Sequence, residues 1–319
     1  MRIWLITAVL ALSSIAPRLS WACGTLSLSS NSISLTWSES YTSQAETVTI
    51  SRSTVGSCNF LITFTQGGGG GYTSRRVAFL SNTLGYQIYS ASSLSASAIL
   101  KDFPAATNNS NVVRGNFSGG AGGGTSKNAN YWFEIPLAGA TTPLIVKAGT
   151  YTDTYQAKLW KGTLVSHGTS PHDTDTISVT VVVPALLRIS LVPTGAGFNS
   201  SDTTETLNFG TLTTGASQGF DVRTVTNAGY ALSVSSGNNG VLKHANPSVT
   251  TTVPYNFKVG GVAFNLTTSA SSPVAVANVP GQTGLNGDAK AFAVEIGNVD
   301  DKVAGAYSDT ILVTATTTE

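Results

Sequence analysis

Ala148-Gly149-Thr150-Tyr151-Thr152-Asp153-Thr154 recurs, identical at five of seven positions, as Ala304-Gly305-Ala306-Tyr307-Ser308-Asp309-Thr310. The glycine permits a turn ahead of a strand, the tyrosine and its successors alternate between two faces, and the aspartate and hydroxyl side chains can tie down nearby backbone. A buried tyrosine whose hydroxyl bonds to backbone near a strand start is a device of β-sandwiches. The two aspartates lie 156 positions apart, too far for a solenoid repeat and suited to duplicated domains. About thirty residues follow the first copy and include a second apolar strand at 176–183, whereas ten residues follow Asp309. The second domain is therefore expected to lack its last strand, and another chain to supply it.

Working outward, helical periodicity is scarce. Short stretches of period 2, rich in β-branched residues, are separated by Gly, Asn and Ser clusters. Strands are expected near 25–28, 33–37, 47–52, 59–65, 75–80, 84–89, 131–135, 150–160 and 176–183. A second set is expected near 186–191, 207–209, 219–226, 231–235, 253–259, 262–264, 289–296 and 306–316. The spacing predicts an all-β chain of sandwich type. Pro184, which cannot donate to a ladder, marks the boundary between domains at 23–184 and 185–319.

Arg2, the apolar stretch 3–12 and Ser20-Trp21-Ala22 read as a signal peptide, residues 1–22, so the chain is expected to be exported. The small residue Ser20, three places before Cys23, argues against a lipoprotein. Cys23 and Cys58 are the only cysteines, which in an oxidising compartment favours one disulfide between them over a metal site or a nucleophile. With 17 basic and 16 acidic side chains, and 10% of residues charged, nothing marks a nucleic-acid or anionic-membrane partner. The 41% apolar content is enough to build a core.

The repeated Ala-Gly-x-Tyr-[Ser/Thr]-Asp-Thr strand, together with Leu84-Gly85-Tyr86-Gln87-Ile88-Tyr89, resembles the spore coat protein U domain of archaic chaperone-usher pilus subunits. Two such domains in one chain resemble the two-domain tip adhesin of those pili. The resemblance implies an N-terminal adhesin domain and a C-terminal pilin domain with an incomplete immunoglobulin-like fold. A periplasmic chaperone would complete that fold first, and the donor strand of the next pilus subunit would do so after the outer-membrane usher. The absence of cysteine from 185–319 departs from many single-domain subunits. Physically, a sandwich short of one strand exposes unpaired backbone and an apolar groove, which strand addition covers. Ile311, Val313 and Ala315 are expected to line one wall of that groove and Leu187, Ile189 and Leu191 the other. The predicted cleavage leaves no donor segment before Cys23, so the chain is expected to accept a strand and give none, which suits a pilus tip at the cell surface.

If each connection reverses the chain direction, the loops 66–74, 90–130 and 161–175 gather at the pole far from the second domain. Their apolar residues Tyr72, Phe103, Pro104, Val112, Val113, Phe117, Leu164 and Val165 form the candidate surface for abiotic or host material. Ile99 and Leu100 are expected to pack beneath their own loop. A glycan-binding lectin built from Trp132, Trp160, Tyr72 and the Asn-rich 108–111 is the stronger rival; an ordinary shaft or spore-coat subunit is another. An enzyme is not expected: His167, His172, Asp173 and Asp175 match no standard metal spacing, no nucleophile elbow or phosphate loop occurs, and no cofactor is implied.

Overall fold

The computed structural model describes residues 23–38, 43–119, 124–136 and 144–318, so the expected signal peptide lies outside it. The chain is all-β, with three single-turn 3-10 segments and no α-helix among the described residues. It forms two immunoglobulin-like sandwiches, and among the described residues the second has no counterpart of the strand that closes the first.

The first sandwich contains β1 (Leu26–Ser30), β2 (Ile33–Thr36), β3 (Ser43–Arg52), β4 (Cys58–Phe64), β5 (Arg76–Phe79), β6 (Asn82–Gly85), β7 (Gln87–Tyr89), β8 (Val113–Phe117), β9 (Ser126–Glu134), β10 (Gly149–Thr163), β11 (Ser166–His167) and β12 (Asp173–Val183). One sheet runs β1-β3-β9-β7 and the other β2-β12-β10-β4-β8, with β5, β6 and β11 attached. Period-2 patterning decides which side chains enter: β12 buries Ile177, Val179, Val181 and Val183 and turns Thr174, Ser178 and Val182 outward. These meet Trp37, Phe64, Tyr131, Phe133, Tyr151 and Tyr155 in one core. Each large apolar side chain so buried contributes roughly 1.5 to 3 kcal/mol. The expected disulfide forms between Cys23 and Cys58.

β12 completes this sandwich. It pairs antiparallel with β10 from Gly149↔Val183 to Leu159↔Asp173, and its other edge takes β2 in parallel.

The second sandwich contains β13 (Leu187–Pro193), β14 (Ser217–Thr226), β15 (Tyr230–Ser236), β16 (Val241–His244), β17 (Thr252–Val259), β18 (Val262–Phe264), β19 (Val274–Val279), β20 (Asp288–Ile296), β21 (Tyr307–Ser308) and β22 (Ile311–Thr317). The sheets run β13-β14-β20-β17-β16-β21, with β18 attached, and β19-β15-β22. Their core holds Phe220, Tyr230, Leu232, Val234, Phe257 and Phe292.

The two motif copies build the same corner. Gly149 and Gly305 share a φ of +152°, in the region that favours glycine. The Tyr151 hydroxyl donates to the Lys147 carbonyl at 2.9 Å, and the Tyr307 hydroxyl to the Val303 carbonyl at 2.8 Å. Asp153 accepts from the Tyr86 hydroxyl and Asp309 from the Tyr255 hydroxyl, both at 2.7 Å. Phe79 packs on Tyr151 as His244 packs on Tyr307.

Between the sandwiches, Asn227 in the β14–β15 turn is fully buried. Its side chain donates to the Pro184 carbonyl and accepts from Leu186 N–H, while its backbone carbonyl accepts from Ala148 N–H at 2.9 Å.

Candidate functional site: an open sheet edge and an exposed pole

β22 pairs with β15 from Ile311↔Ser236 to Thr317↔Tyr230, and its other edge has no partner among the described residues. The duplication gives a measure of what is missing. Tyr155, Ala157 and Leu159 on β10 face the first core and are at most 2% exposed beneath β12. Ile311, Val313 and Ala315 stand at the same positions of the second repeat and face the second core, yet each is only half-buried. Leu187, Ile189 and Leu191 on β13 are half-buried against the same core. The residues expected as two groove walls therefore share one incompletely covered apolar interior.

Leu207 and Phe209 also pack half-buried on this core, but the strand expected at 207–209 does not form. In the first sandwich the strand at this place in chain order is β2, whose ladder partner is β12. Among the described residues no counterpart of β12 pairs with this segment. β16 and β19 were not legible in the sequence: Val-Leu-Lys-His has no alternation, and Val-Ala-Val-Ala-Asn-Val sits among Ser and Pro turn signals.

The pole of the first sandwich farthest from Asn227 is where β10 ends at Thr163. The residues 53–57 and 164–172 connect strands there, beside the disulfide. The expected gathering of 66–74 at this pole is corrected. β4 and β5 both run antiparallel to β10, pairing at Ala157↔Phe64 to Lys161↔Phe60 and at Thr152↔Ala78, so the chain does not reverse between them. The intervening loop bulges from the flank. Arg75, 1% exposed, pins it by donating to the carbonyls of Thr65 and Leu100 and to Gln87 Oε1, and burial lowers its pKa to about 10.

Three further residues of the expected apolar surface are corrected. Val112, Val113 and Phe117 are 2%, 7% and 1% exposed. Val113–Phe117 is β8, which pairs with β4, and Phe117 packs on Phe60 at 5.5 Å between centroids. Sequence reading missed this strand because Val-Arg-Gly-Asn-Phe carries apolar residues only at its ends. Ile99 and Leu100 are also buried.

Phe103 is half-buried, stacked on His167 at 4.0 Å and edge-on to Trp160 at 5.0 Å, with Pro104 exposed beside it. Leu164 packs partly on this cluster, while Val165 at the hairpin tip is 94% exposed. Val55, which the sequence reading did not single out, is 54% exposed in the polar 53–57 connection. Tyr72 is half-buried on the flank.

Asp173 and Asp175, weighed as metal ligands, accept from the N–H groups of Leu28 and Ser30 at 2.7 Å and so lock β1 against β12. His172 lies near Lys161; burial first, then that charge, lowers its pKa. Of the lectin candidates, Trp160 is 7% exposed with its indole N–H on Thr63, and Asn111 is buried with its amide on Ser97 and Ile99 carbonyls.

Residues 10–158 match the Spore Coat Protein U domain. The Spore Coat Protein U match includes the first motif copy and stops within β10, short of β12. No curated protein sequence matches the chain.

Among solved structures, the chain is similar to the CsuC-CsuE chaperone-tip adhesion subunit pre-assembly complex from archaic chaperone-usher Csu pili of Acinetobacter baumannii. That likeness has 14% identity over 90% of this chain and 99% of that one, with a TM-score of 0.43. The CupB6 tip adhesin from Pseudomonas aeruginosa is similar at 12% identity over 92% of this chain and 94% of that one, TM-score 0.39. CfaE, the adhesive subunit of CFA/I fimbria of enterotoxigenic Escherichia coli, is similar at 11% identity over 91% and 93%, TM-score 0.35.

Proposed function

We propose that this chain is an adhesive subunit at the end of a chaperone-usher filament, exported through the periplasm to the cell surface. Residues 185–319 act as the anchoring domain and 23–184 as the surface-contacting domain. The observation that carries this reading is the unpaired edge of β22 above half-buried Ile311, Val313 and Ala315, where the first repeat is covered by β12. An open edge over apolar side chains invites pairing with another chain. Main-chain bonds along β22 and alternate side chains set into the apolar interior would hold such a strand. A periplasmic chaperone supplies it first, and the donor strand of the next subunit replaces it at the usher.

At the other end, Val55, Pro104, Leu164 and Val165 form a contact patch around the far pole. Each apolar side chain withdrawn from water on contact contributes roughly 1.5 to 3 kcal/mol at most, so a few give attachment without a specific receptor.

The test is expression of the full chain with and without a candidate periplasmic chaperone. We expect a stable one-to-one complex with the chaperone, lost in Val313→Asp and retained in Val165→Ser. A full chain that stays folded and monomeric alone, and ignores the chaperone, overturns the reading. For the contact patch, Val55→Ser with Val165→Ser is expected to reduce attachment to hydrophobic plastic while the chaperone complex persists.

A further inference from the structure

The flank of the first sandwich carries a groove of about 540 Å³ that neither the contact patch nor the open edge uses. It is a surface depression open to solvent, lined mostly by exposed and half-buried side chains. Its floor comes from strand alternation: Thr154 and Gln156 of β10 point away from the core, and Thr176 of β12 stands opposite Gln156. Its wall is the loop after β4, which brings Gln66 and Tyr72 over the sheet. Two anchors hold this wall. Gly68 N–H donates to Asp153 at 2.9 Å, and Arg75 holds the loop base, with its guanidinium 5.3 Å from the Tyr72 ring centroid.

The chemistry of the groove is neutral and polar. Gln66 and Gln156 each offer two amide donors and an acceptor, and neither side chain has a hydrogen-bond partner among the described residues. Thr154 and Thr176 add hydroxyls that donate and accept. Nearby charges are already engaged: Asp153 accepts from Tyr86 and Gly68, and Lys158 pairs with Asp102 at 2.6 Å. No cation lines the groove, so it lacks the charged donors that recognise sulfate, phosphate or carboxylate. The half-exposed Tyr72 ring gives it one apolar side.

We propose that this groove binds an uncharged saccharide. A sugar ring presents hydroxyls that both donate and accept, matching the paired amides and threonines, and a C–H face that suits the tyrosine. The site lies on the flank, so a saccharide could be held while the apolar pole rests on a surface. The proposal does not depend on the chain's being a filament subunit.

The test uses the ¹⁵N-labelled full chain, titrated with cellohexaose and with chitohexaose and followed by the side-chain amide signals of Gln66 and Gln156. A heparin hexasaccharide serves as the charged comparator. We expect an uncharged oligomer to shift both amides, with a Kd on the order of 1 mM. Gln156→Ala and Thr176→Ala, both exposed changes, should each weaken binding about fivefold. Val165→Ser should leave it unchanged. The proposal is overturned if neither uncharged oligomer moves these signals, if Gln156→Ala binds as well as the parent chain, or if heparin binds best.

Discussion

The Tyr307 hydroxyl reaches back four residues to the Val303 carbonyl at 2.8 Å, holding the start of the last strand pair against the preceding loop. Tyr151 makes the same bond to Lys147 from a fully buried ring in the closed sandwich. Removing that hydroxyl in Tyr151→Phe should lower the stability of the first sandwich by about 1 kcal/mol, the net worth of one hydrogen bond. Urea unfolding followed by near-ultraviolet circular dichroism reads it out. No change in midpoint would mean the corner is held by the ring alone.

Gly149→Ala should be harsher. Its φ of +152° disfavours any side chain, and a Cβ there would run into the Phe79 ring. We expect a loss of about 2 kcal/mol or more. The double variant with Phe79→Ala should recover little, since the backbone strain persists and a cavity is added. Full recovery would assign the whole cost to the ring clash.

Cys23 and Cys58 close a loop of 35 positions. Reduction, or Cys58→Ser, is expected to cost the first sandwich about 3 to 4 kcal/mol. Unfolding with and without dithiothreitol should separate by that amount. Coincident curves would show that packing of β1 by Asp173 and Asp175 suffices.

Val313 and Leu312 are neighbours on β22 with opposite fates: Val313 faces the core half-buried, and Leu312 is 61% exposed on the outer face. Val313→Asp should prevent recovery of a folded second sandwich, because it places an unpaired charge in an apolar interior. Leu312→Asp should be tolerated. Equal yields of soluble protein would mean that β22 does not have the register described.

The Asp288 carboxyl sits below its ordinary value of 3.8. Burial pushes it up, but the Tyr230 hydroxyl at 2.6 Å and Lys290 at 3.1 Å outweigh that. A carboxyl depressed in the folded state adds stability that is present above the unfolded value and lost as pH falls through the folded one. The second sandwich should therefore lose stability on acidification below about pH 4, and Asp288→Asn should flatten that part of the profile. Parallel profiles for the two proteins would assign the acid sensitivity elsewhere.

The repeated motif was legible because each of its parts acts locally, the glycine through its φ, the tyrosine through a bond four residues away and the aspartate through a neighbouring hydroxyl. The strands with strict alternation were legible for the same reason. β8 was not, since its register comes from β4 and its buried ends are separated by Arg114, Gly115 and Asn116. The side of the molecule reached by residues 66–74 was equally hidden. Counting reversals assumes that every connection turns the chain around, and Arg75 instead fastens an outward loop within one continuing run along β10. Of the expected contact residues, Val165 and Pro104 are exposed because they occupy turns, while Val112, Val113 and Phe117 are taken into the sandwich by pairing that no local pattern announces.

Asn227 turns two sandwiches into one lever. Its bonds to Ala148, Pro184 and Leu186 meet where a hinge would otherwise sit. A load applied along β22 would be passed across that node into β10 rather than taken up by a slack tether. The direction in which Val165 points would then be set by whatever grips the opposite end of the chain, as the bearing of a rod is set by the hand that holds it.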